Sequence, residues 1–365
     1  MVESDQWHDP VGERLPAPVR PTALHMLRHP DRQTTWAGAG VMRFDPPLAG
    51  GDPGLLQELL GERVTQLHAA YPVAGARLRG VTWYPGTPGK ASISADDQPI
   101  PPTIMRPFNL ACEPPLRLLA HESGKWLTVV PHHAAIDGAS VMGMFKLLSG
   151  LPPRPIAPRR VLQRRSVPPW ASFRRLLWPA DPVAPSPTEP AGDTFVHAAL
   201  PPIGRGSTGR LPQALVAAVT SHNLRSGQPL RRIGISLSVA ELDDGVGVAS
   251  YRRIDLHQGE PVATAVEAAL RAPEEPWEIV HAPRAIRLLA PVAGRLSDTI
   301  LLSNFGRIEL AGVTSLEIYP VARGRSAVAF GAVRVASAGS TLTLRAQHLS
   351  TEDATHLLHD AIALL

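Results

Sequence analysis

The sequence has a single cysteine, Cys112, which excludes a disulfide within the chain and a zinc site built from several thiolates. Lysine is almost as scarce, since Lys90, Lys125 and Lys146 are the only ones. No apolar run approaches the ~20 residues that cross a membrane. The first residues, MVESDQWHDP, also lack the apolar segment of a signal peptide. These absences predict a soluble, cytoplasmic protein that does not bind membranes.

What the chain does have is enough apolar sequence for a large folded core. Hydrophobic residues make up 44% of its 365 positions, which excludes wholesale disorder and allows one large domain or two ordinary ones. The formal net charge is +4, and almost all of the basic residues are arginine. This balance is too weak and too scattered to predict nucleic-acid binding. It favours anionic partners such as CoA phosphates or an acidic carrier protein.

Residues 1–150 alternate between strand and helix patterns. A strand in VMRFDPPL precedes a helix that Asp52 caps, with Pro53 at its first position. LRLLAH and KWLTVV, separated by ESG, predict a β-hairpin, and SVMGMFKLLSG predicts a helix that ends at Gly150. The apolar stripe predicted for the first helix comprises Leu55, Leu56, Leu59, Leu60, Val64, Leu67 and Tyr71.

The rest of the chain predicts a second α/β half after a proline-rich crossover at residues 151–192, which includes a short helix in VPPWASFRRLLW. Strand and helix patterns alternate again over residues 193–365, including one or two helices in WEIVHAPRAIRLLAPV and a strand in DTILLSNFGRIEL. A last helix is capped by Ser350, with Asp353 at its third position. The predicted architecture is two mixed α/β halves joined by the crossover.

Two glycine-rich stretches resemble nucleotide-binding loops, but neither fits. GRGSTG at residues 204–209 matches the dinucleotide pattern, yet Pro201 and Pro202 interrupt the strand before it, and Glu241 comes too late for the ribose. A loop whose Ser207 or Thr208 caps the next helix explains it better. GTPGKAS at residues 86–92 lacks the first glycine and the final hydroxyl of a phosphate loop, which predicts a turn.

The stretch PHHAAIDGAS carries the chemistry of greatest interest. It places His132 and His133 at the end of a buried strand, followed by Asp137 and Gly138 at the start of a helix. A histidine fixed there could accept a proton from a hydroxyl or amine as that group attacks a carbonyl. Asp137 could orient the backbone or the ring, and Gly138 permits a tight turn and close backbone approach. Two alternatives stay open: one histidine packs while the other caps the helix, or His133 and Asp137 bind a metal.

HHAAIDG resembles the H-H-x-x-x-D-G signature of the chloramphenicol acetyltransferase-like superfamily, which includes nonribosomal peptide synthetase condensation domains, plant BAHD acyltransferases and polyketide-associated acyltransferases. YPVAGARL, RPFNLACEPPLR and LLSNFGR resemble further segments of that group and occur in the same order. The resemblance implies two α/β halves that form a V around a central channel. It also implies a freestanding acyltransferase that moves an acyl group from a CoA or carrier-protein thioester to a small-molecule hydroxyl or amine. The residue usage typical of a GC-rich coding sequence, together with the stand-alone format, suggests bacterial specialised metabolism.

The resemblance assigns roles to residues. His133 would be the general base or orient the nucleophile, and His132 would be structural. Asp137 would hold the loop and Gly138 would give the turn room. The candidate donors to the oxyanion are the Gly138 amide, Ser303 and Asn304. No metal or bound cofactor is implied, because the acyl-CoA or phosphopantetheinyl carrier protein acts as the donor.

The sequence departs from the family pattern at two places. Ser238 stands where relatives carry an arginine that pairs with the motif aspartate, so Arg252 or Arg253 would take that role. The D-F-G-W-G latch is absent, with SNFGR in its region. Two other functions stay open: condensation or cyclisation of a carrier-bound intermediate, and a catalytically inactive module that docks carrier proteins.

Overall fold

The computed structural model describes residues 15–19, 21–27, 35–152, 177–188, 192–201, 209–243, 246–271, 297–322 and 328–365. Almost all of VPPWASFRRLLW and of WEIVHAPRAIRLLAPV lies outside these residues, so the helices predicted there stay predictions. The cap predicted at Ser207 or Thr208 is wrong, because Gly209 occupies the N-cap position of the helix Arg210–Arg225.

The described helices are α1 (Pro21–Leu27), α2 (Pro53–Ala70), α3 (Pro102–Met105), α4 (Gly138–Ser149), α5 (Arg210–Arg225), α6 (Val262–Arg271) and α7 (Thr351–Ala363). The strands of the first half are β1 (Ala17–Pro18), β2 (Ala39–Phe44), β3 (Arg77–Arg79), β4 (Thr82–Tyr84), β5 (Ala91–Ser94), β6 (Leu116–His121) and β7 (Trp126–Pro131). Those of the second half are β8 (Thr194–Leu200), β9 (Arg232–Asp243), β10 (Val246–His257), β11 (Ile300–Ile308), β12 (Val313–Tyr319), β13 (Val328–Val335) and β14 (Gly339–Ala346).

A five-stranded sheet with the order β12-β2-β7-β6-β5 forms the core of the first half. Helices α2 and α4 cover one of its faces and bury a continuous apolar cluster against it. The two helices approach closely at Gly143, because a Cβ there would overlap the hydroxyl of Tyr71. The sheet also takes its edge strand, β12, from beyond residue 193, and this strand pairs antiparallel with β2.

A six-stranded sheet with the order β10-β9-β11-β13-β14-β8 forms the core of the second half. Helices α5, α6 and α7 contribute buried or half-buried apolar residues to the cluster on one of its faces. Strand β12 lies across the other face, where the Thr343 hydroxyl donates to the Ile318 carbonyl. A Cβ on Gly331 would overlap that same carbonyl oxygen, so only glycine allows this close approach.

The structure confirms most of the local predictions. The Asp52 carboxylate accepts the amides of Gly54 and Leu55 at 2.8 and 3.0 Å, and the Ser350 hydroxyl accepts the Asp353 amide at 3.1 Å. The hairpin β6–β7 forms as predicted. Leu55 is a correction: it is 56% exposed, because the buried stripe of α2 runs through the next residue, Leu56.

The α/β fold class is confirmed, with mixed sheets and helices in both halves. The V-shaped arrangement and the division at residues 150 and 192 stay predictions. No helix in the described part of the chain is long and apolar enough to cross a bilayer.

Candidate active site

HHAAIDG lies in the short connection between β7 and α4. Every residue of β7 is buried, so the strand holds the start of the connection rigidly. His132 continues the strand as a single bridge to Ala37. Its carbonyl then accepts the amides of Ala135 and Ile136 at 3.0 and 3.1 Å, which turns the chain toward the helix. The motif is therefore held at both ends by regular structure.

His133 is half-buried, and its contacts define which ring nitrogen carries the proton. The backbone amide donates to the carbonyl of Trp36 at 2.7 Å. The Nδ1 atom lies 3.3 Å from the Ile136 carbonyl oxygen. A carbonyl can only accept, so Nδ1 is the protonated nitrogen and Nε2 carries the lone pair of the neutral ring. This tautomer suits a general base that acts through Nε2.

His132 has the opposite arrangement. Its ring is buried, and Nδ1 lies 3.3 Å from the Ala134 amide, which can only donate, so Nε2 carries the proton. Burial is the main reason why the pKa of His132 is lowered to about 4, and repulsion from His133 in its protonated form and from Arg117 contributes to the same shift. The ring packs edge-on against Phe108 at 5.4 Å between centroids. His132 is thus a neutral packing residue at physiological pH.

Arg117 organises the RPFNLACEPPLR segment beside His132. Its guanidinium donates to the carbonyls of Ile104 and Arg106 at 2.7 and 2.6 Å, and it pairs with Glu113 at 3.0 Å. It also stacks over the ring of Phe108 at 3.7 Å. The segment is therefore a structural support for the histidine pair. Sequence reasoning missed Arg117 as its centre, because no local pattern marks the carbonyls that it binds.

Asp137 is the N-cap of α4. Its carboxylate accepts the Ser140 amide at 2.8 Å, which fixes the direction in which the helix leaves the motif. Gly138, the first helical residue, has no left-handed φ, so the turn predicted there does not depend on one. A Cβ on Gly138 would lie 3.4 Å from the ring of Phe305. That distance is ordinary van der Waals contact, so Phe305, a residue of SNFGR, does not by itself require glycine here, and the close approach predicted for Gly138 stays a prediction.

The structure places the two side chains predicted as oxyanion donors in different environments. Ser303 is buried on β11, in register with Ser238 on β9 and Gly331 on β13. It lies two residues before Phe305, on the strand that reaches Gly138. Asn304 is exposed, and its Oδ1 accepts the Gly306 amide at 3.0 Å in a local turn. Both roles stay predictions.

Arg252 and Arg253 are neighbours on β10 and project to opposite faces of the sheet. Arg253 pairs with Asp298 at 3.0 Å and with Asp255 at 3.1 Å. Arg252 is buried and lies in register with Leu237. The pairing of Asp137 with either arginine stays a prediction.

No group of three histidine, cysteine or carboxylate side chains that could hold a metal ion occurs within the described residues. His133 and Asp137 instead contact the backbone, through Nδ1 and through the helix cap respectively.

Solved structures similar to this chain along almost its whole length include condensation domains. The starter condensation domain of rhizomide synthetase, a mutant in complex with C8-CoA and Leu-SNAC, is 12% identical with a TM-score of 0.59, covering 96% of this chain and 94% of that one. The condensation domain of the monacolin K polyketide synthase is 11% identical with a TM-score of 0.56, covering 96% of each chain. The chain has the condensation-domain fold. This confirms the resemblance to the superfamily at the level of the fold.

The same condensation-domain fold also supports a different named reaction. The epimerization domain from the third module of tyrocidine synthetase B is 12% identical, with a TM-score of 0.52 and coverage of 96% of this chain and 95% of that one. Comparison with protein-family models and with curated proteins finds no match. The fold by itself therefore leaves the reaction open, and the function has to be argued from the residues of the site.

Proposed function

We propose that the protein is an acyltransferase that moves an acyl group from a thioester to a hydroxyl or amine of a small molecule, with His133 as the general base. The observation that carries this proposal is the contact of His133 Nδ1 with the Ile136 carbonyl at 3.3 Å. It leaves Nε2 with the lone pair that general-base chemistry needs, in a chain with the condensation-domain fold.

The reaction then follows from the chemistry of thioesters. Nε2 of His133 takes the proton of the acceptor hydroxyl or amine as its oxygen or nitrogen attacks the thioester carbonyl. The tetrahedral intermediate carries its negative charge on the former carbonyl oxygen. On collapse the carbon–sulfur bond breaks, and the leaving thiolate takes the proton from the imidazolium. The products are an ester or amide, a free thiol and neutral His133.

Two groups near the motif could stabilise the oxyanion. The amide of Gly138 belongs to the first turn of α4, where backbone donors and the helix dipole favour negative charge. The Ser303 hydroxyl lies on the strand whose Phe305 contacts Gly138. His132 is excluded from acid–base work near neutral pH, because its lowered pKa keeps it neutral and its Nδ1 accepts a backbone amide.

The donor is the part of the proposal that the comparisons support. The rhizomide synthetase domain is named as a complex with C8-CoA, which makes an acyl-CoA thioester the first donor to test. The arginine-dominated charge of the chain suits CoA phosphates and an acidic carrier protein equally. Condensation or cyclisation of a carrier-bound intermediate uses the same base and the same thioester, so the product separates it from simple transfer.

The test is release of free thiol from a panel of acyl-CoAs and acyl-pantetheinyl carrier proteins, with pooled simple alcohols and amines as acceptors. We expect release that depends on the protein and on an acceptor, together with a new ester or amide detected by mass spectrometry. The donor that is consumed identifies CoA or carrier protein. If neither class is consumed while immobilised protein retains carrier proteins, the docking-module function replaces the acyltransferase.

A further inference from the structure

Arg345, on β14, is a fully buried arginine that joins distant parts of the chain. Two of its guanidinium nitrogens, Nε and Nη2, pair with the same carboxylate oxygen, Oδ2 of Asp193, with Nε at 2.6 Å. Another nitrogen, Nη1, donates to the carbonyl of Ala37. A buried guanidinium is costly unless it is paired, so Asp193 keeps Arg345 charged and oriented toward Ala37.

The segment that Arg345 holds is in direct contact with the histidine motif. Ala37 forms the bridge to His132, and the carbonyl of Trp36 accepts the His133 amide at 2.7 Å. The backbone of residues 35–37 therefore lies between Arg345 on one side and both histidines on the other. Any shift of Ala37 would be passed to the backbone of His133 through these bonds.

Trp36 supplies an independent reason why this segment has to be held. It is buried, and its φ of 50° lies in the left-handed region that bulky residues avoid. Such a conformation is strained and persists only where the surroundings determine it. Arg345 contacts the residues on both sides of Trp36, at the Ala37 carbonyl and at the Thr35 hydroxyl, the latter 3.4 Å away.

We propose that Arg345, oriented by Asp193, is a positioning residue for His133. It touches no reacting atom, and it acts by fixing the strained backbone of Trp36 and Ala37, to which His133 is bonded. Its effect on catalysis rests on the acyltransferase function proposed above. Its effect on the His133 backbone does not, so the two can fail separately.

The first test measures hydrogen exchange of the His133 amide in wild type, Arg345→Lys and Arg43→Lys. Lysine keeps the charge but cannot bond Asp193 and Ala37 together in the planar arrangement of the guanidinium. Arg43 is a matched control, because it pairs with buried Glu317 at 2.6 Å and lies on β2, the strand next to β7. We expect exchange at His133 to rise at least ~10-fold in Arg345→Lys and to stay within ~2-fold of wild type in Arg43→Lys.

Equal exchange at His133 in all three proteins would overturn the proposal. A rise in hydrogen exchange of the same size in both variants and across the whole chain would also overturn it, because such a rise reports a general loss of stability. Asp193→Asn gives a second reading if Arg345→Lys does not fold, because it keeps a hydrogen-bond acceptor and removes only the charge. It should raise exchange at His133 in the same direction but by less.

Kinetics complete the test once a substrate pair is found. Arg345→Lys should lower kcat at least ~10-fold and leave the donor KM within ~3-fold, because the base is misplaced while the thioester still binds. A KM that rises with kcat unchanged would overturn the positioning role. Changed exchange in a protein whose wild type transfers no acyl group would leave the positioning of His133 standing and remove the proposed function.

Discussion

The ring of Phe305 lies 3.4 Å from the position that a Cβ of Gly138 would occupy. Phe305 belongs to β11 in the six-stranded sheet, whereas Gly138 begins α4 beside the five-stranded one. The contact brings together two segments, HHAAIDG and SNFGR, that are far apart in sequence. It is one of the points at which the candidate site depends on both sheets.

This contact predicts the outcome of enlarging Gly138. Gly138→Ala should be tolerated, because a methyl group at 3.4 Å is in ordinary van der Waals contact. The additional methyl groups of Gly138→Val would press against the ring and should lower kcat/KM at least ~10-fold. Combining Phe305→Ala with Gly138→Val should restore part of that loss, as measured in a double-mutant cycle. Equal activity in wild type, both single variants and the double variant would contradict the contact.

The cap formed by Asp137 makes a prediction that separates geometry from charge. Asp137→Ala should lower the free energy of unfolding by about 1 kcal/mol. The free energy of unfolding of Asp137→Asn should stay within about 0.5 kcal/mol of wild type, because asparagine caps a helix equally well. If capping is the role of Asp137, the asparagine variant also keeps its activity within ~3-fold. Urea unfolding and acyl-transfer rates measure both. A stable but inactive Asp137→Asn would show that the carboxylate charge is required, as pairing with Arg252 or Arg253 would demand.

The lowered pKa of His132 makes stability depend on pH. In the folded protein the imidazole of His132 takes up a proton only near pH 4, whereas in the unfolded chain it does so near pH 6.5. The unfolded state therefore holds more protons between these values, and stability falls as the pH drops through them. The contribution lost is about 3 kcal/mol.

Urea unfolding between pH 7 and pH 4.5 measures this contribution in wild type and in His132→Asn. Asparagine keeps an acceptor for the Ala134 amide but has no proton to gain. The wild type should therefore lose stability more steeply on acidification than the variant does. Parallel curves for the two proteins would show that His132 is not the group that is kept neutral.

The approach of α2 and α4 gives a prediction for the core. Gly143→Ala places a methyl group where the Tyr71 hydroxyl already lies, so the Tyr71 side chain or one of the helices has to move, at a cost of about 1–3 kcal/mol. Adding Tyr71→Phe to Gly143→Ala should restore part of the lost stability. Gly61→Ala in α2 is the control: no atom lies within 4 Å of its new Cβ, and removing a helical glycine should stabilise by about 0.5–1 kcal/mol. A Gly143→Ala as stable as wild type would contradict this packing.

The sequence predicted those features that local chemistry determines. The caps at Asp52 and Ser350 and the β6–β7 hairpin each depend on residues a few positions apart. The position of the candidate base follows the same rule, because the strand end and helix start around His133 are local signals.

The remaining features arise from contacts that no local pattern carries. Arg345 and Ala37 are 308 positions apart, and the pairing of β12 with β2 joins opposite ends of the chain. The left-handed φ of Trp36 is equally invisible, because nothing in its sequence neighbourhood favours it. The sequence also failed to predict that Leu55 is exposed. An apolar residue beside the buried stripe fits the helical period equally well whether or not it packs against the sheet.

The role of His133 as general base is tested by the rate of acyl transfer in His133→Ala, measured beside wild type and His359→Ala. His359 is an exposed histidine of α7, so its variant controls for loss of an imidazole remote from the motif. We predict that His133→Ala loses ~10²–10⁴-fold in kcat while His359→Ala keeps the wild-type rate. A His133→Ala variant that transfers acyl groups within ~3-fold of wild type would contradict His133 as the general base.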